Sequence, residues 1–146
     1  MWGSIAYLHA RYADYEFTNP DGTPGSFTGN TPPNVPTVMV NGGASYRFVN
    51  PGWWPVELGV SVRHIGDRFS TDANVVKLLG YTTADAFAFV DIPSTPMFPT
   101  VLDTRLTFRV RNFTDTKYAI WSNPFYPDQI FLGAPRTYEV VASFRF

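Results

Sequence analysis

The sequence contains no cysteine and no long apolar run, and each absence removes a class of protein. Without cysteine the chain has no disulfide, no thiolate metal ligand and no cysteine nucleophile. A membrane-spanning helix needs roughly 18–20 consecutive, predominantly apolar residues, and no segment approaches that length. An α-helical membrane protein is therefore excluded. The mean hydropathy of −0.10 is no evidence against a membrane β-barrel, whose interior and loops are polar.

Positive charge and histidine are also scarce. The net charge is −1 and most of the 11 basic residues are arginine, so the chain has no basic field of the kind that nucleic-acid binding requires. The two histidines, His9 and His64, lie on different predicted strands without the spacing of metal ligands. A catalytic triad drawn from His64, Asp67 and either Ser61 or Ser70 has no geometric support in the sequence. We predict no catalytic residue, no resident metal and no cofactor.

What the sequence does contain is typical of β-structure. Phe, Tyr and Trp make up 17% of the residues, and 13 prolines and 11 glycines divide the chain into short segments. Apolar and polar residues alternate in six of these segments, so we predict an all-β protein with about six long strands. The predicted strands are Gly3–Phe17, Val35–Phe48, Val56–Arg68, Tyr81–Asp91, a fifth that includes Arg105–Arg111, and Thr137–Phe146.

The connections between the predicted strands differ in length in a regular way. Three long loops alternate with two shorter turns: Thr18–Asn34, Phe69–Gly80 and Trp121–Leu132 are the loops, Val49–Pro55 and Ile92–Asp103 the turns. Thr18–Asn34 is so rich in Pro, Gly, Asn and Thr that we predict neither strand nor helix there. Strands joined in this way form an antiparallel meander, because parallel pairs need long crossovers. The long loops are then expected at one end of the sheet and the turns at the other.

The last ten residues alternate most regularly, in the pattern of a transmembrane β-strand. Such a strand has roughly 9–11 residues, apolar toward lipid and polar toward the barrel interior, although a half-buried strand of a soluble protein also alternates. One face carries Tyr138, Val140, Ala142, Phe144 and Phe146, and the other carries Thr137, Glu139, Ser143 and Arg145. The facing of the first and fourth predicted strands is left open, because both of their faces carry apolar side chains.

Four short motifs follow one another along the chain. They are GNTPPNVP at Gly29–Pro36 with SYRF at Ser45–Phe48, VSVRHIGDR at Val60–Arg68 with DAN at Asp72–Asn74, RNFTDTKY at Arg111–Tyr118, and GAPRT at Gly133–Thr137 with SFRF at Ser143–Phe146. Each motif alone is short. All four in this order and at this spacing resemble the C-terminal part of the TonB-dependent outer-membrane receptors, in particular the siderophore receptors.

The resemblance implies a barrel of about 22 strands, of which residues 1–146 would be a C-terminal fragment without the plug domain and most of the barrel. It implies a multi-pass location in the outer membrane of a Gram-negative bacterium. The implied function is TonB-dependent uptake of ferric siderophores, with the TonB complex contacting a part of the receptor outside this chain. Because Met1–Tyr7 lacks the regions of a secretory signal, we expect either that the exported protein extends upstream or that the protein is soluble.

The resemblance also implies roles for two groups of residues. The last strand would carry the signal that the barrel assembly machinery recognises for insertion: Tyr138, Val140, Phe144 and Phe146. Four arginines on the polar sides of strands would line the barrel interior: Arg63, Arg105, Arg109 and Arg111. There they could contact carboxylates of the plug or an anionic ferric ligand. A solvated wall without such contacts is the favoured interpretation.

The alternative interpretation is a small soluble all-β ligand-binding module, and the two differ in where the apolar side chains lie. A barrel wall predicts one exposed band: Val38, Val40, Val56, Leu58, Val60, Leu106, Phe108, Val110, Val140, Ala142 and Phe144. A soluble module would bury the same residues in a closed core, with the arginines outside. The barrel segment also predicts an open sheet, with no backbone hydrogen bonds between Gly3–Phe17 and Thr137–Phe146.

Overall fold

The computed structural model describes residues 1–49, 51–93, 103–126 and 128–145. The strands in chain order are β1 (Trp2–Tyr7), β2 (Glu16–Thr18), β3 (Pro24–Ser26), β4 (Val38–Phe48), β5 (Val56–Ile65), β6 (Arg68–Phe69), β7 (Lys77–Leu78), β8 (Tyr81–Pro93), β9 (Asp103–Arg111), β10 (Ala119–Ser122), β11 (Ile130–Leu132) and β12 (Thr137–Arg145). Six of them form one sheet in the order β1-β4-β5-β8-β9-β12, and every neighbouring pair is antiparallel. The predicted six-stranded meander is confirmed.

The connections lie as predicted, with the long ones at one end of the sheet. Loop 1 (residues 8–37), loop 2 (66–80) and loop 3 (112–136) lie at this loop end, and the connection at residues 49–55 lies at the opposite turn end. The second predicted turn falls largely on residues 94–102, and these, like Phe146, lie outside the described residues. Within the described ranges, no helix is long and apolar enough to cross a membrane.

The predicted length of the first strand was wrong. The segment Gly3–Phe17 continues to alternate, but β1 ends at Tyr7, which is paired with Val38, the first residue of β4. Beyond this pair β4 offers no partner, and the next N–H, that of Leu8, bonds to the carbonyl of Thr37 at the end of loop 1. A strand can extend only as far as its neighbour does, and this limit is not visible in the alternation.

The long loops are not free of strands, contrary to the prediction for Thr18–Asn34. In loop 1, β2 pairs with β3. The chain reverses between them around Pro20 and Asp21, where the N–H of Gly22 bonds to the carbonyl of Asn19 at 2.9 Å, and Gly22 follows with a φ of 83°. Oδ1 of Asp21 accepts the N–H of Thr23 at 3.0 Å, which stabilises the end of the turn. Loops 2 and 3 contain the pairs β6–β7 and β10–β11, so β5 ends before the predicted Arg68.

The register gives the large sheet two chemically different faces. Val60 on β5 lies opposite Ala44 on β4 and Ala86 on β8, whereas the next residue, Ser61, lies opposite Gly43 and Asp85. We call these the apolar face and the polar face. One row of the apolar face runs across five strands through Tyr46, Leu58, Ala88, Phe108 and Val140. All eleven residues of the predicted apolar band lie on this face, and none of them is buried.

The register also decides the two facings that the sequence left open. On β1, Ile5 lies opposite Val40, so Ile5 and Tyr7 belong to the apolar face and Trp2 to the polar face. On β8, the small alanines face outward with the apolar face, and Phe87 lies opposite Arg109 on the polar face.

The sheet has no closed core and no closed wall. Among the described residues the buried hydrophobic side chains are Ile65, Leu78 and Ala84, too few to make the interior of a soluble domain. In the described part of the chain no ladder joins β1 to β12, so both edges of the sheet are open, as predicted. No described segment packs on the apolar face, so the side chains of the apolar band are exposed or half-buried.

Candidate functional site

The polar face carries the charged side chains, and most of its arginines are bound to carboxylates on neighbouring strands. Arg105 on β9 lies opposite Asp91 on β8 and binds it with two hydrogen bonds, of 2.6 Å from Nε and 3.1 Å from Nη2. Arg47 on β4 donates to the same carboxylate at 2.7 Å. Asp91 therefore joins three strands at the turn end of the polar face. Such bidentate pairs have fixed geometry as well as charge.

A second carboxylate serves two of the predicted interior arginines. Glu139 on β12 accepts from Arg109 at 3.4 Å and from Nη2 of Arg111 at 3.0 Å. Arg145 and Asp103 form a further ion pair where β12 and β9 lie side by side. These pairs are partly exposed, so each contributes roughly 0–1 kcal/mol to stability. Their main effect is to neutralise the arginines within the sheet.

Arg63 is the exception among the four predicted arginines. In the described part of the chain it has no carboxylate within 4.0 Å, and it lies opposite the uncharged Asn41 and Thr83. It lines a cleft of about 350 Å³ on the polar face that Asp85, Arg111 and Tyr118 also border. The structure thus places all four arginines on one face, as predicted, and brings Arg63 and Arg111 to one cleft, but it does not gather all four into one site.

Sequence reasoning missed part of this charged surface. At the turn end, a cleft of about 520 Å³ is lined by residues that include Arg47, Asp91, Asp103, Arg105 and Arg145. Arg47 and Arg145 alternate with apolar residues as the four predicted arginines do, so the same signal could have selected them. The carboxylate partners could not be chosen from the sequence, because they depend on the register between strands.

At the loop end, polar groups tie the loops together. The hydroxyl of Tyr12 in loop 1 donates to Oδ1 of Asp72 in loop 2 at 2.6 Å. This hydrogen bond, with burial and the negative charge of Asp72, raises the pKa of Tyr12 to about 12. Arg68, which is buried, donates to the backbone carbonyl of Ile120 in loop 3 at 2.9 Å. The loops are therefore joined by specific bonds and not merely adjacent.

The catalytic triad considered from the sequence is not assembled. Ser61 lies on the polar face and His64 on the apolar face, where Nδ1 of His64 is 2.9 Å from Oγ1 of Thr82. Asp67 is ion-paired within loop 2, and Ser70 is fully buried. The described residues contain no group of three or more His, Cys, Asp or Glu side chains that could hold a metal ion.

Comparison with known sequences identifies the same family as the motifs. The family described as TonB dependent receptor-like, beta-barrel matches residues 1–113. The ferrichrome outer membrane transporter/phage receptor of Escherichia coli (strain K12) is 30% identical over 135 residues, which are 92% of this chain and 17% of that protein. The ferrioxamine receptor of Yersinia enterocolitica is 26% identical over 120 residues, 81% of this chain and 16% of that protein. The chain thus spans about a sixth of the length of these relatives.

Solved structures show the same fold at lower sequence identity. The siderophore receptor PiuA from Acinetobacter baumannii superposes with a TM-score of 0.74 at 18% identity, covering 96% of this chain and 18% of that one. The ferric preacinetobactin receptor BauA from the same organism gives a TM-score of 0.67 at 20% identity, covering 81% of this chain and 16% of that one. Together with the matched family and the two-faced open sheet, these similarities lead to one conclusion: this chain belongs to the TonB-dependent receptor β-barrel family.

Proposed function

We propose that this chain is part of the barrel wall of an outer-membrane receptor for TonB-dependent uptake of ferric siderophores in a Gram-negative bacterium. The observation that carries the proposal is the pair of chemically different faces, one predominantly apolar and the other charged. Lipid would cover the apolar face, and the polar face would line the barrel interior. Curated relatives named for ferrichrome and ferrioxamine support siderophores as the class of substrate.

The two open edges support a position within a larger wall. Unpaired backbone groups cost several kcal/mol each in lipid, so β1 and β12 need neighbouring strands to be stable there. We infer that residues 1–146 are a C-terminal segment of a barrel of about 22 strands, in which those neighbours belong to the rest of the receptor. The TonB complex would contact a part of the receptor outside this chain. The barrel assembly machinery would recognise the last strand through Tyr138, Val140, Phe144 and Phe146.

Among the four arginines, Arg63 is the one we propose for contact with the plug or with an anionic ferric ligand. Arg105, Arg109 and Arg111 already bind carboxylates of the sheet, so a ligand would have to displace Asp91 or Glu139 to reach them. These three fit the interpretation of a neutralised, solvated wall. Arg63 forms no ion pair among the described residues, and Asp85, which lines the same cleft, accepts the N–H of Asn112 at 2.7 Å.

The facing can be tested with single cysteines, because the chain has none of its own. Val60→Cys and Val140→Cys place a probe on the apolar face, and Ser61→Cys and Ser143→Cys place one on the polar face. In the receptor reconstituted in vesicles, a bimane probe at the first two positions should be quenched by lipids with nitroxide-labelled acyl chains. The probes at the two serine positions should not be quenched. Equal quenching at all four positions would refute the wall assignment.

The substrate class needs a separate test. We expect cells that express the receptor, and lack other siderophore receptors, to take up iron supplied as ferrichrome or ferrioxamine only when TonB is present. Uptake that persists without TonB would contradict the energised mechanism. Absence of uptake with both compounds, in a receptor whose probes report lipid on the apolar face, would reject these two hydroxamate siderophores and leave the wall assignment intact.

A further inference from the structure

Four residues other than glycine have a left-handed backbone in the described part of the chain, and all four lie in the loops at the loop end. They are Asn34, Asn74, Asn112 and Asp115, with φ between 48° and 59°. Asn and Asp tolerate this conformation better than other side chains do, but it persists only where the surroundings stabilise it. Each of the four belongs to one of the motifs that carry the family resemblance. The side chains of two of them, Asn34 and Asn74, bind the backbone of another loop.

Asn74 of loop 2 binds the backbone of loop 1 in the way that a β-strand would. Its Oδ1 accepts the N–H of Thr31 at 2.9 Å, and its Nδ2 donates to the carbonyl of Thr31 at 2.8 Å. Beside it, Nδ2 of Asn30 donates to the carbonyl of Asp72 at 2.7 Å. The amide of one side chain thus binds both the N–H and the carbonyl of one residue. It takes the place of the strand-to-strand hydrogen bonds that these two loops, which share no sheet, would otherwise lack.

Asn34 of loop 1 repeats this arrangement toward loop 3 and also reaches loop 2. Its Nδ2 donates to the carbonyl of Ser122 at 2.9 Å, and its Oδ1 accepts the N–H of Ser122 at 3.1 Å. Ser122 is fully buried, so these backbone groups have no access to bulk water. The N–H of Asn34 itself bonds to the carbonyl of Phe69 in loop 2 at 2.8 Å. One residue therefore connects all three loops.

Arg68 completes the set by joining loop 2 to loop 3. Its Nη2 donates to the carbonyls of Ala119 and Ile120, at 2.5 and 2.9 Å, and its guanidinium lies 5.7 Å from the centre of the Tyr81 ring. Tyr81 in turn stacks on Tyr118 of loop 3, with ring centres 4.2 Å apart. Each loop is thus bonded to both of the others, and no loop can move away without breaking bonds to two neighbours.

We propose that these bonds make the bases of the three long loops one cooperative unit, which we call the loop collar. It consists of three clasp residues with the backbone groups that they bind: Asn34, Arg68 and Asn74 with Thr31, Phe69, Ala119, Ile120 and Ser122. The collar opens as a whole or not at all, so local motion at the loop end is confined to the segments beyond it, chiefly the hairpin β2–β3. This inference is independent of the ligand and of the proposed function.

Hydrogen–deuterium exchange on the receptor in detergent micelles tests the cooperativity. The variant Asn74→Gly removes the clasp and keeps the left-handed backbone without strain, since glycine adopts it readily. We expect exchange at the Thr31 amide to become about tenfold faster or more, because its two partly buried backbone groups lose their partner. The decisive position is the amide of Ser122, which Asn74 does not touch. We expect a comparable increase there.

The matched control is Asn19→Ala, because the side chain of Asn19 binds Thr23 within the β2–β3 hairpin. Exchange at Thr31 and Ser122 should not change in this variant. Protection of the β5 amides reports whether each variant retains the sheet. If Asn74→Gly loses that protection, Asn34→Gly takes its place: it removes the side-chain bonds to Ser122, and the decisive position is then the amide of Thr31, which Asn34 does not touch. Faster exchange only at the residue that loses its side-chain bonds, with the other amide unchanged, in a variant that retains the sheet, would overturn the proposal.

Discussion

Gly59 on β5 lies directly opposite Phe87 on β8, and the ring of Phe87 covers the glycine so closely that a Cβ at position 59 would overlap it. The same relationship occurs between Gly43 and Trp2 across β4 and β1. In both pairs, the missing side chain on one strand makes room for an aromatic ring from the next. The polar face therefore contains flat aromatic patches between its charged groups.

This packing predicts that two glycine-to-alanine substitutions differ in their effect on the stability of the folded protein. Gly59→Ala should destabilise the receptor by about 1–3 kcal/mol, because the ring of Phe87 must move. Gly42→Ala is the matched control, since a Cβ there would meet only the carbonyl oxygen of Trp2, at 3.7 Å. The midpoint of unfolding by urea in micelles measures both. Equal effects of the two substitutions would show that the ring does not rest on the glycine.

The shared carboxylate of Asp91 predicts a salt-dependent contribution to stability. In Asp91→Asn, Arg47 and Arg105 lose their common partner, and we expect a loss of about 1 kcal/mol or less because the two guanidinium groups are half exposed. The loss should shrink as the salt concentration rises, since screening weakens the pair in the unmodified protein. Asp14→Asn, in an exposed part of loop 1, serves as the control. A loss that does not depend on salt would contradict the ionic explanation.

The environment of Tyr12 predicts how the tie between loops 1 and 2 responds to alkaline pH. The pKa of Tyr12 is raised from 10.0 to about 12, so the folded state favours the neutral phenol. The stability that this gives is fully present below pH 10 and is lost as the pH rises from 10 toward 12. Tyr12→Phe should remove this pH-dependent loss. Tyrosinate absorbance should show one fewer group with a high pKa in the variant, and an unchanged titration would refute the assignment.

Arg63 forms no ion pair among the described residues, and this predicts a difference between two arginines in ligand binding. With an anionic ferric siderophore as the probe, Arg63→Gln should raise the Kd several-fold, because a charge-assisted contact is lost. Arg105→Gln should change the Kd much less, since Asp91 already neutralises that guanidinium. Equilibrium binding to the reconstituted receptor gives both values. A larger effect from Arg105→Gln would reject the role proposed for Arg63.

The alternation of side chains was sufficient to predict the large sheet. The starts of β5, β8 and β12 at Val56, Tyr81 and Thr137 were predicted to the residue, because a Pro or a Gly lies at or just before each start. The end of β1 was not, because it depends on where β4 begins and not on β1 itself. Alternation reports the two faces of a strand, but it does not report how long the neighbouring strand is.

The loop end could be predicted only in part. At the end of β9 the side chain of Asn112 accepts the N–H of Thr116 at 3.0 Å, a local contact of the kind that asparagine makes where a strand ends. The bond from Asn34 to Ser122 joins positions that are 88 residues apart, and nothing local in either segment indicates the other. The pairing of Asp91 with Arg105 likewise required the register. Contacts between residues that only the assembled sheet brings together could not be predicted from the sequence.

The unpartnered apolar face has a consequence for how this chain can change over evolutionary time. A buried core fixes the shape of each side chain, because its neighbours are solid and any misfit leaves a cavity or a clash. In the proposed barrel wall the apolar face meets fluid hydrocarbon instead, which fills gaps by itself. On rows such as that through Leu58, Phe108 and Val140, substitution should be constrained in polarity and nearly free in shape. The opposite holds where Phe87 rests on Gly59, so the two sides of one sheet should diverge at different rates.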